Sequence, residues 1–347
     1  MRAYFLRRLL LIPPTLLGIT LIVFAITRFV PGGPVEQRLL EMQGGATSME
    51  GSSASNHLGQ QAVSEAEIER LRAYYGLDKP WYIAYVNWLG KVGRGDLGES
   101  YRWNEPVTRI LYNALPISTF YGIISFILIY SISIPLGMVK ALRHRTFLDS
   151  STSILVFAGY AIPGYVLGAI LIFFFSIQKD WFPSGGFVGY EYQYLMPFGV
   201  FTDGGAILSL LHHAVLPLIC YLIGGFALTT LLMKNHLMDN LAADYMRTAV
   251  SKGSTFKRAV FKHALRNSLI PIATTFGQNL ALFVSGSFLI EFLFDINGFG
   301  LLGLESILQR DYPIVMGIVL FSSLLMLVGN IISDILVAIV DPRVRFN

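Results

Sequence analysis

The sequence concentrates its charged side chains in one stretch, and these residues have the greatest capacity for chemistry. Between Lys234 and Arg266 lie seven Lys or Arg residues and only two acids, Asp239 and Asp244. The second part of this stretch, with the two residues after it, is residues 244–268 and reads DYMRTAVSKGSTFKRAVFKHALRNS. A basic, partly amphipathic stretch of this kind can bind a protein partner, an anionic lipid surface or a nucleic acid. We call residues 234–267 the basic segment.

The residue sets required for catalysis are missing from the same sequence. It contains no Gly-x-x-x-x-Gly-Lys-Ser/Thr run, the phosphate-binding loop of many ATPases. The apolar runs hold no paired acids, no His–Glu cluster and no nucleophile set, and His212-His213 stand at the start of a run. A single cysteine, Cys220, permits neither an intrachain disulfide nor a cysteine-based metal site. We therefore expect no catalytic residue, no metal and no cofactor in this chain.

The rest of the chain is strongly apolar. Of its 347 residues 54% are hydrophobic and 14% charged, fewer charges than a soluble domain normally carries. Uncharged windows of about 20 residues, enough to cross a ~30 Å hydrocarbon core, predict six spanning helices. Because backbone in lipid must satisfy its own hydrogen bonds, we expect an all-α integral membrane protein. The predicted spans are residues 9–30, 115–139, 151–177, 214–233, 269–290 and 313–338.

These spans predict the organisation of the chain. Residues 1–30 form a cytoplasmic end with the first helix, 31–112 an outer insertion, 113–340 the main transmembrane domain, and 341–347 a tail. Within the insertion, residues 43–64 are rich in Gly, Ser and Ala, which predicts a mobile stretch. The Ser64-x-x-Glu67 capping box that follows predicts a short helix on the outer membrane surface.

The positions of Lys and Arg predict the orientation. The N-terminal end, the loops after the second and fourth spans and the tail are basic, whereas the two short outer loops hold only Lys179 and Arg310. By the positive-inside rule, both termini and the basic segment are cytoplasmic. This topology accounts for the net charge of +4 and disfavours a nucleic-acid partner.

Charges are also scarce inside the predicted spans. The second to fifth spans have no Asp, Glu, Lys or Arg in their interiors. A charged group at the bilayer centre costs about 2.5–3.5 kcal/mol on insertion scales, so it persists where function requires it. The pattern disfavours a proton-driven carrier, and the energy for any transport would enter from outside the membrane.

The basic segment has a predicted shape of its own. Asn240 or Asp244 is expected to cap a short helix that ends at Gly253 in the left-handed conformation, and Ser254 to cap a second helix. A simple connection needs only a few residues. The helix–glycine–helix form therefore indicates a docking surface for a cytoplasmic partner. The alternative is an ATPase-independent channel or assembly factor in which the basic segment anchors to lipid.

The basic segment also resembles a known motif. Arg247-Thr248-Ala249-x-x-x-Gly253, followed by HALRN at 263–267, resembles the EAA loop of type I ABC importer permeases. In that family the pattern is Glu-Ala-Ala-x-x-x-Gly, and its short helix inserts into a cleft of the ATP-hydrolysing subunit. Arg247 and Thr248 replace the Glu and the first Ala, as is common in the peptide-permease branch.

Other segments extend the resemblance over nearly the whole chain. YGLDKPWYIAYVNWLGKVGRGDLGES (75–100), GYAIPGY (159–165), LIEFLFDINGFGLLGLESILQRDYPIV (289–315) and DPRVRF (341–346) look like a dipeptide/oligopeptide permease B subunit. Gly32-Gly33-Pro34 in place of Gly-Asp-Pro, and the long insertion after it, resemble the Yej-type subgroup of peptide or microcin C permeases.

The resemblance implies a MetI-like permease core with an extra N-terminal helix and a large periplasmic loop, in the bacterial inner membrane. The implied partners are a second homologous permease, two ATP-binding subunits that carry ATP and Mg, and a periplasmic peptide-binding protein, with membrane lipid around them. The chain would form half of a path for dipeptides, oligopeptides or microcin C-like peptides and couple to the ATPases through residues 244–266. The implied coupling residues are Asp244, Tyr245, Met246, Arg247, Thr248, Ala249, Lys252 and Gly253.

Two further sets of polar residues are candidates for contacts with substrate or partner. Polar side chains on the second and fifth spans could line a peptide path, although packing between helices explains them equally well. These are Ser125, Ser131, Ser133, Thr274, Gln278, Asn279 and Ser285. Charged residues at the outer helix ends could meet the binding protein or a peptide terminus, or could end a helix at the interface. These are Glu291, Asp295, Arg310 and Asp311.

Overall fold

The computed structural model describes residues 2–29, 69, 78–284 and 286–340. Within them the regular elements are helices, apart from an isolated bridge between Glu99 and Pro106. In chain order the α-helices are α1 (Arg2–Phe29), α2 (Trp81–Val92), α3 (Val107–Leu142), α4 (Phe147–Ala161), α5 (Gly164–Leu171), α6 (Gly204–Ala242), α7 (Asp244–Ser251), α8 (Phe256–Ala259), α9 (Leu265–Ser268), α10 (Ile270–Val284), α11 (Phe288–Leu293), α12 (Phe299–Leu308) and α13 (Tyr312–Val340).

Shorter turns complete the described part of the chain. A π-helical turn, Ile172–Gln178, extends α5, and another, Val260–Ala264, joins α8 to α9. Two 3₁₀ turns, Tyr190–Leu195 and Gly199–Phe201, precede α6. The predicted mobile stretch 43–64, the capping-box helix after Ser64 and the tail 341–347 lie outside the described residues.

The all-α membrane class is confirmed. In the described part of the chain, α1, α3, α6 and α13 are long and apolar enough to cross a membrane. The pair α4–α5, bent by 94°, would make a fifth span if it crosses as one unit. Two of the six predicted spans are therefore not single straight helices.

Both departures occur where the backbone leaves the helical region. Ile162, which ends α4, is extended at φ −91° and ψ 120°, because the following Pro163 disfavours the α conformation in the residue before it. The predicted fifth span is the 15-residue α10, shorter than the ~20 residues that cross a bilayer. The chain then turns at Gly286, whose φ is +82°, before α11 begins.

Two of the spans are longer than the apolar windows predict. The helices α3 and α6 have 36 and 39 residues. At ~1.5 Å per residue each measures more than 50 Å, beyond the ~40–45 Å of a bilayer with its headgroups. Helix α3 therefore begins within the predicted insertion, at Val107, and the C-terminal parts of α3 and α6 contain Lys140 and Lys234.

The chain divides into two compact units. The first comprises Met1–Pro13, Tyr112–Leu304 and Phe321–Asn347, and the second comprises Pro14–Leu111 and Glu305–Leu320. In the second unit, α2 lies against α1, where the Tyr85 hydroxyl donates to the carbonyl of Leu17 at 3.0 Å and lies 3.0 Å from the Thr20 hydroxyl.

Close helix packing in the first unit depends on glycine. A Cβ at Gly137 of α3 would lie 2.7 Å from the Met233 Cβ on α6, closer than carbon atoms can approach. Small residues let membrane helices approach in this way. Helices α3 and α6 are therefore in direct contact at Gly137 and Met233, next to the start of the basic segment.

Candidate functional site

The basic segment forms the predicted helix–glycine–helix, but with different N-terminal caps. Asn240 lies inside α6 and Asp244 is the first residue of α7, so neither caps a helix; the extended residue between them is Ala243. Helix α8 is capped by Thr255, whose Oγ1 accepts from the Arg258 N–H at 3.4 Å, rather than by Ser254.

Gly253 ends α7 as predicted. Its φ is +86°, and the N–H groups of Gly253 and Ser254 donate to the carbonyls of Val250 and Ala249 at 2.9 and 3.2 Å. This pair of bonds is the Schellman arrangement, which requires a left-handed residue at Gly253. Because a Cβ there would meet nothing within 4 Å, backbone conformation and not space requires the glycine.

One side of α7 is anchored in an apolar cluster. Met246 is 3% exposed and packs with Leu237 of α6, Ala141 of α3 and Val260 of the following turn. Ala249, one helical turn later, packs against the same cluster. Met246 is therefore an anchor of α7 and not part of an exposed coupling surface.

A chain of polar contacts fixes the start of α7. The Tyr245 hydroxyl donates to Asn240 Oδ1 at 2.6 Å, and Asn240 Nδ2 donates to the hydroxyl of Ser268 at 3.2 Å. Ser268 in turn donates to the carbonyls of Ala264 and His236. Tyr245 thus links α7 directly to α6 and, through Asn240, to Ser268 of α9.

The remaining coupling candidates form an exposed face. Asp244, Arg247, Thr248, Lys252 and Gly253 are all exposed. Arg247 Nη1 lies 3.7 Å from Asp244 Oδ1, with side chains 81% and 95% exposed. The predicted coupling residues therefore lie on α7 and at its C-terminal end. One side of this helix packs against the apolar cluster, and the other side is exposed.

Two exposed aromatic rings adjoin this face, and the sequence pattern alone did not single them out as surface residues. Phe256 and Phe261 are 58% and 52% exposed, although they alternate with basic residues as a buried face would. Ala259 and Val260, between them in sequence, are the residues that are buried. Exposed apolar groups beside a rim of charge are typical of a protein interface.

The candidates for a substrate path on α3 point in different directions. Ser125 and Ser133 are buried, and Ser131 is exposed. Ser133 Oγ donates to the Phe226 carbonyl at 3.1 Å, whereas Ser125 Oγ has no hydrogen-bond partner among the described residues. The three serines do not line one surface.

The candidates on α10 are divided in the same way. Thr274 is exposed, and its hydroxyl donates to the carbonyl of Ile270 at 2.9 Å. Asn279 Nδ2 donates to the Tyr130 hydroxyl at 2.9 Å and so links α10 to α3. Ser285 and the side chain of Gln278 lie outside the described residues.

The first buried acid of the outer set, Glu291, organises a turn. It is 1% exposed, accepts from the Leu301 N–H at 2.7 Å and from the Tyr221 hydroxyl at 3.2 Å, and a Cβ at Gly298 would lie 2.8 Å from its carboxyl. Glu291 belongs to α11, outside the long apolar helices, and burial raises the pKa of its carboxyl to about 7. Such a carboxyl is placed to hold the 286–301 turn together, not to meet a partner.

Asp311 has a comparable position in the second unit. It is 1% exposed and accepts from the Ser100 hydroxyl at 2.5 Å and from the N–H groups of Tyr101 and Arg102 at 3.2 and 3.3 Å. The carboxylate therefore ties the loop before α3 to the start of α13. Of the outer charged set, Asp295 is exposed and Arg310 half-buried, which leaves these two with accessible side chains.

The sequence motifs did not predict a buried charged cluster at the ends of α3, α4 and α6. Asp149 of α4 lies between Lys140 of α3 and Lys234 of α6, with carboxyl–ammonium distances of 3.2 and 2.7 Å. The two lysines count as topology signals by the positive-inside rule, and Asp149 lies between predicted spans. A signal was present, because Asp149 is the single acid within 140–150, a stretch that also holds Lys140 and two arginines.

The described residues contain no group of three or more His, Cys, Asp or Glu residues arranged to hold a metal ion. The exposed face of α7 is a candidate protein-binding surface on a membrane protein. A family model for the inner membrane component of binding-protein-dependent transport systems matches residues 133–346, more than half of the chain and the whole basic segment. The chain belongs to this family. As a family member it is a membrane component of a transport system.

Full-length relatives agree with this assignment. The chain is 35% identical over 347 residues to the oligopeptide transport system permease protein AppB of Bacillus subtilis (strain 168), covering 100% of both chains. It is 35% identical over 367 residues to the inner membrane ABC transporter permease protein YejB of Escherichia coli O157:H7, with 100% of this chain and 99% of the relative covered. It is also 32% identical over 352 residues to the di/tripeptide transport system permease protein DppB of Pseudomonas aeruginosa (strain UCBPP-PA14), with 99% of each covered. A Yej-type relative is thus among them, consistent with the subgroup features of the sequence.

Proposed function

We propose that this permease is one half of the membrane path of an ATP-driven importer for peptides, and that α7 is its docking element for a cytoplasmic ATPase. The supporting observation is the two-sided construction of α7. Met246 and Tyr245 fix it to the core, while Arg247, Thr248 and Lys252 remain exposed. A short helix that is fixed to the core in this way can bind a partner and also transmit the partner's movement to the rest of the permease.

The proposed assembly contains a second homologous permease, two ATP-binding subunits and a periplasmic peptide-binding protein. Closure of the ATPases on ATP would move the two docking helices, and rocking of the helical bundles would expose the path to one side and then the other. The basic segment and both termini would face the cytoplasm, as their Lys and Arg content requires. The nucleotide and its Mg would be held by the ATPases, with no cofactor in this chain.

The proposed cargo is a peptide, because the three relatives above are permeases whose names specify peptides or ABC transport. The path residues are proposed to be Ser131 and Thr274, since these are exposed among the candidates whose side chains the structure describes. Asp295 and Arg310 are the proposed contacts for the binding protein, since their side chains are accessible.

The docking role is tested with a matched pair of glycine variants. Gly253 and Gly95 both have positive φ, +86° and +79°, and a Cβ at either meets nothing within 4 Å. Valine at either position adds about 1–2 kcal/mol of left-handed strain, but Gly95 lies in the turn after α2, away from the basic segment in sequence. We expect Gly253→Val to reach the membrane and lose the co-purifying ATPases and peptide uptake, whereas Gly95→Val retains both.

Retention of the ATPases and full uptake by Gly253→Val would reject α7 as the docking element. Thr248→Glu provides a second test without backbone strain, because it places a negative charge on the exposed face of α7 and leaves the apolar side that anchors the helix unchanged. If the unchanged protein itself retains no ATPase and transports without one, the chain is instead an ATPase-independent channel or assembly factor.

A further inference from the structure

Three helices meet at the carboxylate of Asp149. Lys234 Nζ of α6 lies 2.7 and 2.9 Å from its two oxygens, and Lys140 Nζ of α3 lies 3.2 Å from Oδ1. The His144 Nδ1 and the Arg145 N–H are each 3.2 Å from Oδ2. The carboxylate therefore has a partner on every neighbouring helix and in the loop before α4.

The cluster is buried and its polar groups are satisfied. Side chains of Lys140, Asp149 and Lys234 are 0%, 6% and 12% exposed. Lys140 Nζ also donates to the Asp149 carbonyl and to the hydroxyls of Thr152 and Ser153, at 2.9, 2.9 and 2.7 Å. Separating these groups would leave charges buried without partners, so the three helix ends resist moving apart.

The same turns of α3 and α6 also hold α7. Ala141, next to Lys140, and Met233, next to Lys234, belong to the apolar cluster that buries Met246. Each of these two helices therefore presents an apolar residue toward α7 and, at the adjacent position, a lysine toward α4. A displacement of α7 is therefore passed to α3 and α6 through the apolar cluster, and from these two helices to α4 through the ion pairs with Asp149.

We propose that Asp149 is a positioning residue for energy coupling, which joins α4 to the α3–α6 pair so that movement of α7 displaces the bent pair α4–α5. This inference rests on the proposed function, since it takes α7 to be the element that the ATPase moves. It assigns to Asp149, Lys140 and Lys234 a role in coupling that is separate from ATPase docking. Helices joined in this way move as one body when α7 is displaced.

The test uses the complete transporter in proteoliposomes, with the second permease, both ATPases and the peptide-loaded binding protein. Asp149→Asn keeps the shape of the side chain and removes its charge. We expect the ATPases to remain bound and the concentration of binding protein for half-maximal uptake to be unchanged, while peptide imported per ATP falls about five- to tenfold. Asp180→Asn, the same change at an exposed outer residue with a left-handed φ of 51°, should leave uptake unchanged.

A second variant keeps the inference testable if Asp149→Asn does not accumulate. Lys234→Gln leaves Asp149 paired with Lys140 and should lower the peptide imported per ATP in the same direction. Combining the two variants should lower it by less than the product of their separate effects, because both break one contact. A merely structural role predicts less protein in the membrane with an unchanged ratio per assembled complex, and that result would overturn the inference.

The two proposals fail in different ways. Gly253→Val tests ATPase docking alone, because it leaves Asp149 and its ion pairs unchanged. If it retains its ATPases, the docking proposal fails. If Gly253→Val loses them while Asp149→Asn and Lys234→Gln import peptide with the normal ratio to ATP, the docking proposal stands and the coupling role of Asp149 is rejected.

Discussion

Two ion pairs, one on α7 and one between α4 and α6, show how differently this chain uses charge. On α7, Arg247 and Asp244 are 3.7 Å apart with side chains 81% and 95% exposed. Behind α7, Lys234 and Asp149 are 2.7 Å apart with side chains 12% and 6% exposed. The exposed pair is screened by water and salt, so it contributes little to folding and its groups stay available to a partner. The buried pair is available to no partner, so its effect is confined to the helices that it joins.

The largest expected effect comes from removing the shared carboxylate. Asp149→Ala would leave Lys140 and Lys234 buried without a counter-charge, and breaking a buried pair by removing one partner costs about 3–5 kcal/mol. Thermal unfolding of the purified protein in detergent measures this loss. Asp239→Ala, which removes an exposed carboxylate from α6, is the matched control and should unfold close to the unchanged protein. Equal unfolding temperatures for the two variants would mean that the buried cluster does not hold the helices together.

An intermediate effect is expected at Glu291, a buried acid whose described hydrogen-bond donors are a hydroxyl and backbone N–H groups instead of a lysine. Glu291→Ala leaves the Leu301 N–H and the Tyr221 hydroxyl unpaired, at about 1–3 kcal/mol, whereas Glu291→Gln keeps an acceptor of the same shape. Thermal unfolding should therefore place Glu291→Gln near the unchanged protein and Glu291→Ala well below it.

The raised pKa of Glu291 adds a pH dependence with a definite sign. Burial raises the pKa of its carboxyl from the usual 4.5 to about 7, so the folded state binds the proton more tightly. The contribution of Glu291 to stability is therefore greatest below pH 4.5 and falls as the pH rises through 7. The difference in unfolding temperature between the unchanged protein and Glu291→Gln should shift in favour of Glu291→Gln between pH 5 and pH 8. A difference that is constant with pH would contradict this placement of Glu291.

The sequence predicted what depends on local pattern. Hydropathy windows predicted the membrane class, and Gly253 after a short stretch with a polar start predicted α7 and its left-handed end. It did not predict which polar residues are buried, because burial is decided by the neighbouring helix. Glu291 follows one predicted span and Asp311 precedes another, so both were interpreted as possible helix ends at the interface, yet each accepts hydrogen bonds from residues distant in the chain. Asp149 was missed for the same reason: its partner Lys234 is 85 residues away.

The smallest effect on stability, and the sharpest test of the contrast, is expected at the exposed pair. Asp244→Asn and Arg247→Gln each remove one charge from a pair in water, so each should change the free energy of unfolding by less than about 0.5 kcal/mol. If α7 binds an ATPase, Arg247→Gln should still weaken ATPase retention by a factor of about five, roughly 1 kcal/mol, and more at low salt than at high salt. Co-purification at two salt concentrations measures the retention of the ATPases, and thermal unfolding measures the stability.

A variant that unfolds earlier and retains its ATPases would place Arg247 among the structural charges with Lys234. Normal unfolding with weaker retention would assign its charge to the partner, since the ion pair that it makes with Asp244 within the chain is almost fully exposed.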